Sequence, residues 1–227
     1  MKRNVLVIVL MALAAIAYCK PVRNALGAKA GEKGIRLPYD AEVQYLESTG
    51  TQWINTGIAP NVIDSKIEIT YASGSGHLFG ARTHSDPTQR YLWSLYAPGM
   101  TTIRGDWIGS KAYISVAASA KKVTFVSHAN GSAILYNDTT YAGDSKTTIS
   151  DSIYLFAVNT SGSVSVAITM QLYDFKIWQS NLLVRDMIPV RFTNESGQSE
   201  GAMYDRVSGQ LFRNQGTGAF LYGPDKN

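Results

Sequence analysis

The 227-residue chain has one cysteine, Cys19, and none after it. No disulfide can therefore staple the bulk of the chain, and an ordinary hydrophobic core must hold it. Net charge is also scarce once the start is set aside. Of 21 Lys and Arg, five (Lys2, Arg3, Lys20, Arg23 and Lys29) lie in the first thirty residues, where there is no acid, and the other 16 face 17 Asp and Glu. A near-neutral body lacks the electrostatic footprint of a nucleic-acid binder or of a protein held on an anionic membrane. Histidines are few, and His77, His84 and His128 have neither the cysteine partners nor the spacing of a zinc site. Outside the first thirty residues no window of helical length keeps a 3.6-residue apolar period, which excludes a helical domain.

One long apolar run is present, Val5 to Ala17, preceded by Lys2 and Arg3. Its thirteen residues fall short of the about 20 that a membrane-spanning helix needs, so it reads as an export signal, with no membrane span in the mature chain. Ala15-Ile16-Ala17 and Ala28-Lys29-Ala30 both fit a small-x-small cleavage site. Cys19 follows the run closely enough to carry a lipid, but the bulky Tyr18 before it disfavours a lipoprotein. The expected organisation is a signal peptide or leader over 1–30, a polar Gly-rich linker over 31–36, and one domain over 37–227 of a secreted or cell-surface protein.

What fills that domain is alternation. In Ser163 to Leu172 the residues Val164, Val166, Ile168, Met170 and Leu172 are apolar and those between are small or polar, a period of two. At Leu172 the phase slips, and Tyr173, Phe175 and Ile177 take the bulk. A one-residue slip would turn the buried face to water, so the spacing predicts a bend, a bulge or a change of sheet near Leu172 and Tyr173. Short strands are expected at Val43 and Tyr45, at Trp53-Ile54, at Ile67 to Tyr71, at Leu78-Phe79, and at Tyr91 to Leu95 paired with Thr101 to Trp107. Lys111 to Tyr136 reads as a hairpin about Asn130-Gly131. The continuous apolar run Ile153 to Val158 reads as a central strand, Leu182 to Phe192 as a strand whose Pro189 marks an edge or bulge, and Met203-Tyr204 with Leu211-Phe212 as a last hairpin. The class is all-β, a two-sheet antiparallel sandwich.

Several segments, in order along the chain, give this class a family. They include Glu42 to Ile58, Leu78 to Arg82, Ile153 to Asn159, Leu172 to Trp178, Leu183 to Arg191, Gly201 to Arg206 and Gly209 to Phe220. Together they resemble the concanavalin A-like, or laminin G-like, jelly-roll domains of secreted bacterial and phage-associated proteins. The resemblance implies two antiparallel sheets of six or seven strands, one concave, with loops at its rim. It also implies a carbohydrate-binding or adhesive module, in some members with a calcium ion, and in a minority a glycoside hydrolase. Fold alone does not choose among these.

The residues weigh against catalysis. Hydrolases of this fold set acids on one strand as Glu-x-Asp-x-x-Glu, so that a nucleophile and an acid stand about 5 Å apart. Here Glu68 is followed by Thr70 and Ala72, and Glu195 and Glu200 sit in a Gly/Ser-rich stretch. Gly197-Gln198-Ser199-Glu200-Gly201 matches a nucleophile elbow, yet a strand rather than a helix is expected after it, so it reads as a chance match. Asn137, Asp138, Asp144 and Asp151 have the character of calcium ligands and, more simply, of turn formers; no cofactor is expected. Four Asn-x-Ser/Thr sites, at Asn130, Asn137, Asn159 and Asn194, read as coincidence in a Ser/Thr-rich chain. The strongest functional constellation is Arg90, Tyr91, Trp93, Tyr96, Arg104, Asp106 and Trp107. Sugars pack their C–H faces on rings and need charged or amide partners for their hydroxyls, and this stretch interleaves both. Trp93 shares a strand face with Leu95, whereas Trp107 lies in a turn-rich stretch and is the better candidate for exposure. Trp53 and Trp178 read as packing residues. The function these observations support is a non-catalytic module for a glycan or a cell-surface partner, with a purely structural adhesion protein and a glycoside hydrolase as the alternatives.

Overall fold

The computed structural model describes residues 36–59, 65–72, 74–82, 92–97, 102–107, 110–115, 121–128, 131–136, 139–142 and 150–227. The expected leader and all but the last residue of the expected linker lie outside these. Among the described residues there are strands and turns and no helix. Leu37 to Asn227 forms one compact unit.

Two sheets face each other. The larger has eleven strands, ordered β11 (Thr139–Ala142), β10 (Gly131–Tyr136), β9 (Lys121–His128), β4 (Ser65–Ala72), β15 (Thr169–Gln179), β16 (Leu182–Thr193), β17 (Ser199–Asp205) and β18 (Gln210–Phe212). To it are added β1 (Ala41–Glu42) on β16, β2 (Leu46–Thr49) on β15, and β19 (Leu221–Tyr222) on β2. The smaller has eight strands, ordered β14 (Ser163–Ser165), β13 (Val158–Thr160), β5 (Gly76–Arg82), β6 (Leu92–Ala97), β7 (Thr102–Trp107) and β8 (Ser110–Ser115). In this sheet β12 (Tyr154–Leu155) bridges β5 and β3 (Ile54–Asn55). Among the described residues all pairings are antiparallel except that of β13 with β5.

Alternation explains the layers. In β4 the odd residues Ile67, Ile69 and Tyr71 are buried and Lys66, Glu68 and Thr70 are half-buried. Phe175 and Ile177 of β15 lie beside them in register, and Phe79 of the smaller sheet meets Phe175 edge-on with ring centroids 5.6 Å apart. One apolar cluster thus draws on both sheets, which is the defining feature of a sandwich.

The expected slip in β15 is present. The register with β4 shifts between Leu172 and Asp174, so that Tyr173 is the extra residue and Leu172 and Phe175 both face the core. The alternation upstream of it is broken, however. Val164 and Val166 are 44% and 50% exposed, because β14 belongs to the smaller sheet and the chain crosses between sheets over 166–168, with Val166 at φ 52°. Only Ile168, Met170 and Leu172 keep the buried phase.

Other expectations shift in the same way. Ile153 to Val158 is buried and central, but it is two strands rather than one: Phe156 takes φ 65°, and the chain passes from antiparallel β12 to parallel β13 around it. Ser110 to Ser115 pairs with β7 in the smaller sheet, so the hairpin about Asn130-Gly131 is β9 with β10 alone. Pro189 is in a strand with neighbours on both sides. Its carbonyl accepts from the Val43 N–H at 3.0 Å, and its missing N–H falls where β16 changes partner from β15 to β1. The β17–β18 hairpin is present as the last among the described residues, and one more strand, β19, follows it and pairs with the distant β2.

Candidate functional site

The bulge in β15 and the alternation of β2, β4 and β15 bring polar residues and rings to the side of the larger sheet that faces away from the sandwich core. Gln171 and Glu47 oppose each other across β15 and β2, and Gln171 Nε2 donates to Glu47 Oε2 at 2.8 Å. Tyr173, pushed out by the bulge, meets Tyr45 with ring centroids 5.7 Å apart. Tyr45 is itself backed by Gly223, where even a Cβ would come within 2.7 Å of the ring. Beside Tyr173, the half-buried Asp174 meets no cation or hydrogen-bond donor among the described residues.

Further along, Glu68 is the hub of the face. It lies opposite Lys176 in register, and Lys66 and Lys122 each place Nζ 3.3 Å from one of its oxygens. Burial alone would raise its pKa, but the hydrogen bonds and charges of Lys122 and Lys66 outweigh burial and hold the carboxyl below its ordinary value. Lys66 Nζ also stands 3.8 Å over the ring centroid of Trp178, its partner across the strand pair. Trp178 is therefore not a packing residue of the core; the β15 phase after the bulge puts it, half-buried, on the outer face. Lys176 lies 4.0 Å from Asp186, which Arg206 grips with two hydrogen bonds of 3.0 and 3.1 Å.

The residues singled out in the sequence fall differently. Arg90 and Tyr91 lie outside the described residues. The hairpin of β6 and β7 sets Trp93 opposite Trp107, Ser94 opposite Asp106, and Tyr96 opposite Arg104. Positions 93 and 107 are in phase with the buried Leu95 and Ile103, whereas 96, 104 and 106 are in phase with Ser94, whose Oγ lies 3.1 Å from His77 Nδ1. The hairpin thus brings five of the seven onto two adjacent strands but divides them between two phases. Arg104 is half-buried.

Other motif residues prove architectural. Asp205 is fully buried and accepts from the N–H groups of Asp186, Val207 and Ser208 and from the Ser208 hydroxyl, with Arg185 Nη1 3.6 Å away. Arg185 in turn donates to the Thr56 and Val184 carbonyls. Gln52 is buried and ties the Ser48-Thr49 turn to the carbonyl of Thr217. Trp53 is half-buried, stacked on Tyr154 at 4.4 Å.

Ser199 of the elbow-like motif begins β17 and shares a 2.9 Å hydrogen bond with the Tyr222 hydroxyl, with no helix after it. Asn159 is buried and doubly bonded, closed to a glycan. Asn137, Asp138 and Asp144 lie outside the described residues, and among the described residues no group of three or more His, Cys, Asp or Glu could hold a metal ion. No helix there is long and apolar enough to cross a membrane. Comparison of the chain with family models and with curated proteins finds no match to either.

Proposed function

We propose that the chain is an exported, non-catalytic jelly-roll module that binds a glycan of a cell surface through the outer face of its larger sheet. The observation that carries this reading is the row along β15, where Tyr173, Asp174 and Trp178 stand on one side of one sheet with Tyr45, Glu47 and Gln171 around them. Rings supply flat apolar faces for sugar C–H groups, and the uncommitted Asp174 carboxylate and the Gln171 amide supply partners for hydroxyls. The β6–β7 hairpin remains the rival surface for the same function, with its residues divided between two phases. Glu68 is unsuited to be the general acid of a glycosidase. A general acid needs a carboxyl held above its ordinary pKa, and Glu68 is held below it.

A glycan array on residues 31–227, with and without a chelator, tests the reading. Tyr173→Ala and Trp178→Ala should each weaken the best glycan by about tenfold or more, the scale of one lost anchor of about 1.4 kcal/mol. Trp107→Ala with Arg104→Ala should leave it within a factor of two or three. The reverse pattern in folded variants moves the site to the hairpin, and an array with no glycan bound removes the carbohydrate reading. A second reading, an adhesive protein with no sugar site, is favoured by one observation. Edge strand β14 and the residue after it expose Val164 and Val166 at 44% and 50%.

A further inference from the structure

The two ends of the outer face differ in charge, and the difference names a class of sugar. Around Trp178 and Glu68 stand Lys66, Lys122, Lys176 and Arg206, with the carboxylates of Glu68 and Asp186 between them and that of Asp174 two residues before Lys176 on the same face. Arg206 and Asp186 satisfy each other through two hydrogen bonds. Lys66 and Lys122 share the one carboxylate of Glu68 beside the indole, and Lys176, opposite Glu68 in register, reaches Asp186 at 4.0 Å. Lys122 is 63% exposed in its side chain and Lys66 38%, so neither is locked by packing. Lys66 is the telling residue, because its Nζ covers the Trp178 ring at 3.8 Å while it also holds Glu68. A neutral sugar that stacks on the indole must move this ammonium away and offers it nothing. A sugar carrying a carboxylate next to its apolar face moves it and becomes its new partner.

We propose that Trp178, Lys66, Lys122 and Lys176 form a subsite for an acidic sugar, a uronate whose ring lies on the indole and whose carboxylate takes the lysine ammonium groups, with Lys66 as the specificity-determining residue. This rests on the glycan reading above and adds the charge of the ligand. The ionic part is exposed, so its strength falls with salt, while the stacking part does not.

The test uses residues 31–227 and three acidic polysaccharides, polygalacturonate, alginate and hyaluronan, each beside its carboxyl-reduced neutral form, with polyglutamate as a polyanion that has no sugar ring. At least one acidic polysaccharide should bind about tenfold or more tighter than its reduced form, with affinity falling as salt rises. Lys66→Met should cut that acid-to-neutral ratio to near one without loss of the circular dichroism spectrum, and Trp178→Ala should weaken both forms. The inference is overturned if each acidic glycan and its reduced form bind alike, if Lys66→Met leaves the ratio unchanged, if polyglutamate competes as well as the uronans, or if none of the three uronans binds. Binding of neutral glycans in those cases leaves the carbohydrate reading standing, whereas no glycan bound at all removes both.

Discussion

Asp205 shows how a single residue of the motif Gly201 to Arg206 serves the fold. Its carboxylate is wholly buried, and three backbone N–H groups and one hydroxyl point at it, with the Arg185 guanidinium close by. Replacing it by Ala strands those donors and a half-buried arginine, and breaking such a pair costs about 3–5 kcal/mol. Asp205→Ala should show that loss in a urea midpoint, with Asp205→Asn in between. Nothing in the sequence distinguishes Asp205 from the other turn-forming acids, since its role is set by Asp186 and Arg185, about twenty residues upstream. Tyr39 offers a test by pH. Burial first, then the charge of Glu42 and the nearby Tyr204, push its phenol from 10.0 up to about 12. The folded state therefore holds this proton more tightly than the unfolded chain. That contribution is whole below pH 10 and is lost as pH rises from 10 to about 12. Tyr39→Phe should flatten the fall in stability measured between pH 9 and pH 11.5, relative to the parent protein.

At the scale of the element, β15 is a strand with one residue too many, and the surplus can be located. Leu172 and Phe175 both face the core with Tyr173 in the bulge between them, so removing Tyr173 leaves Met170, Leu172, Phe175 and Ile177 at an uninterrupted period of two. A chain without Tyr173 should fold with a cooperative unfolding transition, losing the Tyr45 ring contact and, on the reading proposed here, glycan affinity. A chain without Lys176 should fail to fold, because Ile177 would turn to water and Trp178 to the core. Circular dichroism and thermal melts of the two deletions separate these outcomes. The bulge was legible because the change of phase is written in side-chain size. The break between β14 and β15 was not, because Val164 and Val166 fit the period while the left-handed turn at Val166 carries no Gly or Asn to announce it. The same holds at Phe156, where a buried aromatic at positive φ splits what reads as one strand. Trp178 was misread for a different reason. Its size suggests a core residue, but the phase of Phe175 and Ile177 after the bulge already sets it on the opposite, outer face.

For the whole molecule, closure depends on the end of the chain returning to its opening strands. β19 pairs with β2, the Gly223 N–H donates to Tyr45 O and the Gln44 N–H to Pro224 O, and the Lys226 N–H donates to Glu42 O. Phe220, 2% exposed, packs on Phe156 at the start of this return, and Arg191 holds Asp225 through two hydrogen bonds of 2.8 Å. With no cysteine after Cys19, nothing covalent substitutes for this seam. A chain ending at Phe220 would leave the outer edge of β2 unpaired and take away the Gly223 backing of Tyr45, so two effects should appear together. Its thermal midpoint should fall by about 4 °C or more, which corresponds to a loss on the order of 2 kcal/mol for a domain of this size, and its glycan affinity should fall even at temperatures where it stays folded. Starting the chain at Leu37 instead of Gly31 should leave both unchanged, since Leu37 to Asn227 is the compact unit. A C-terminal truncation that lowered the melting point and spared binding would show that Tyr45 contributes nothing to recognition, and would confine the binding surface to the Trp178 end of the sheet.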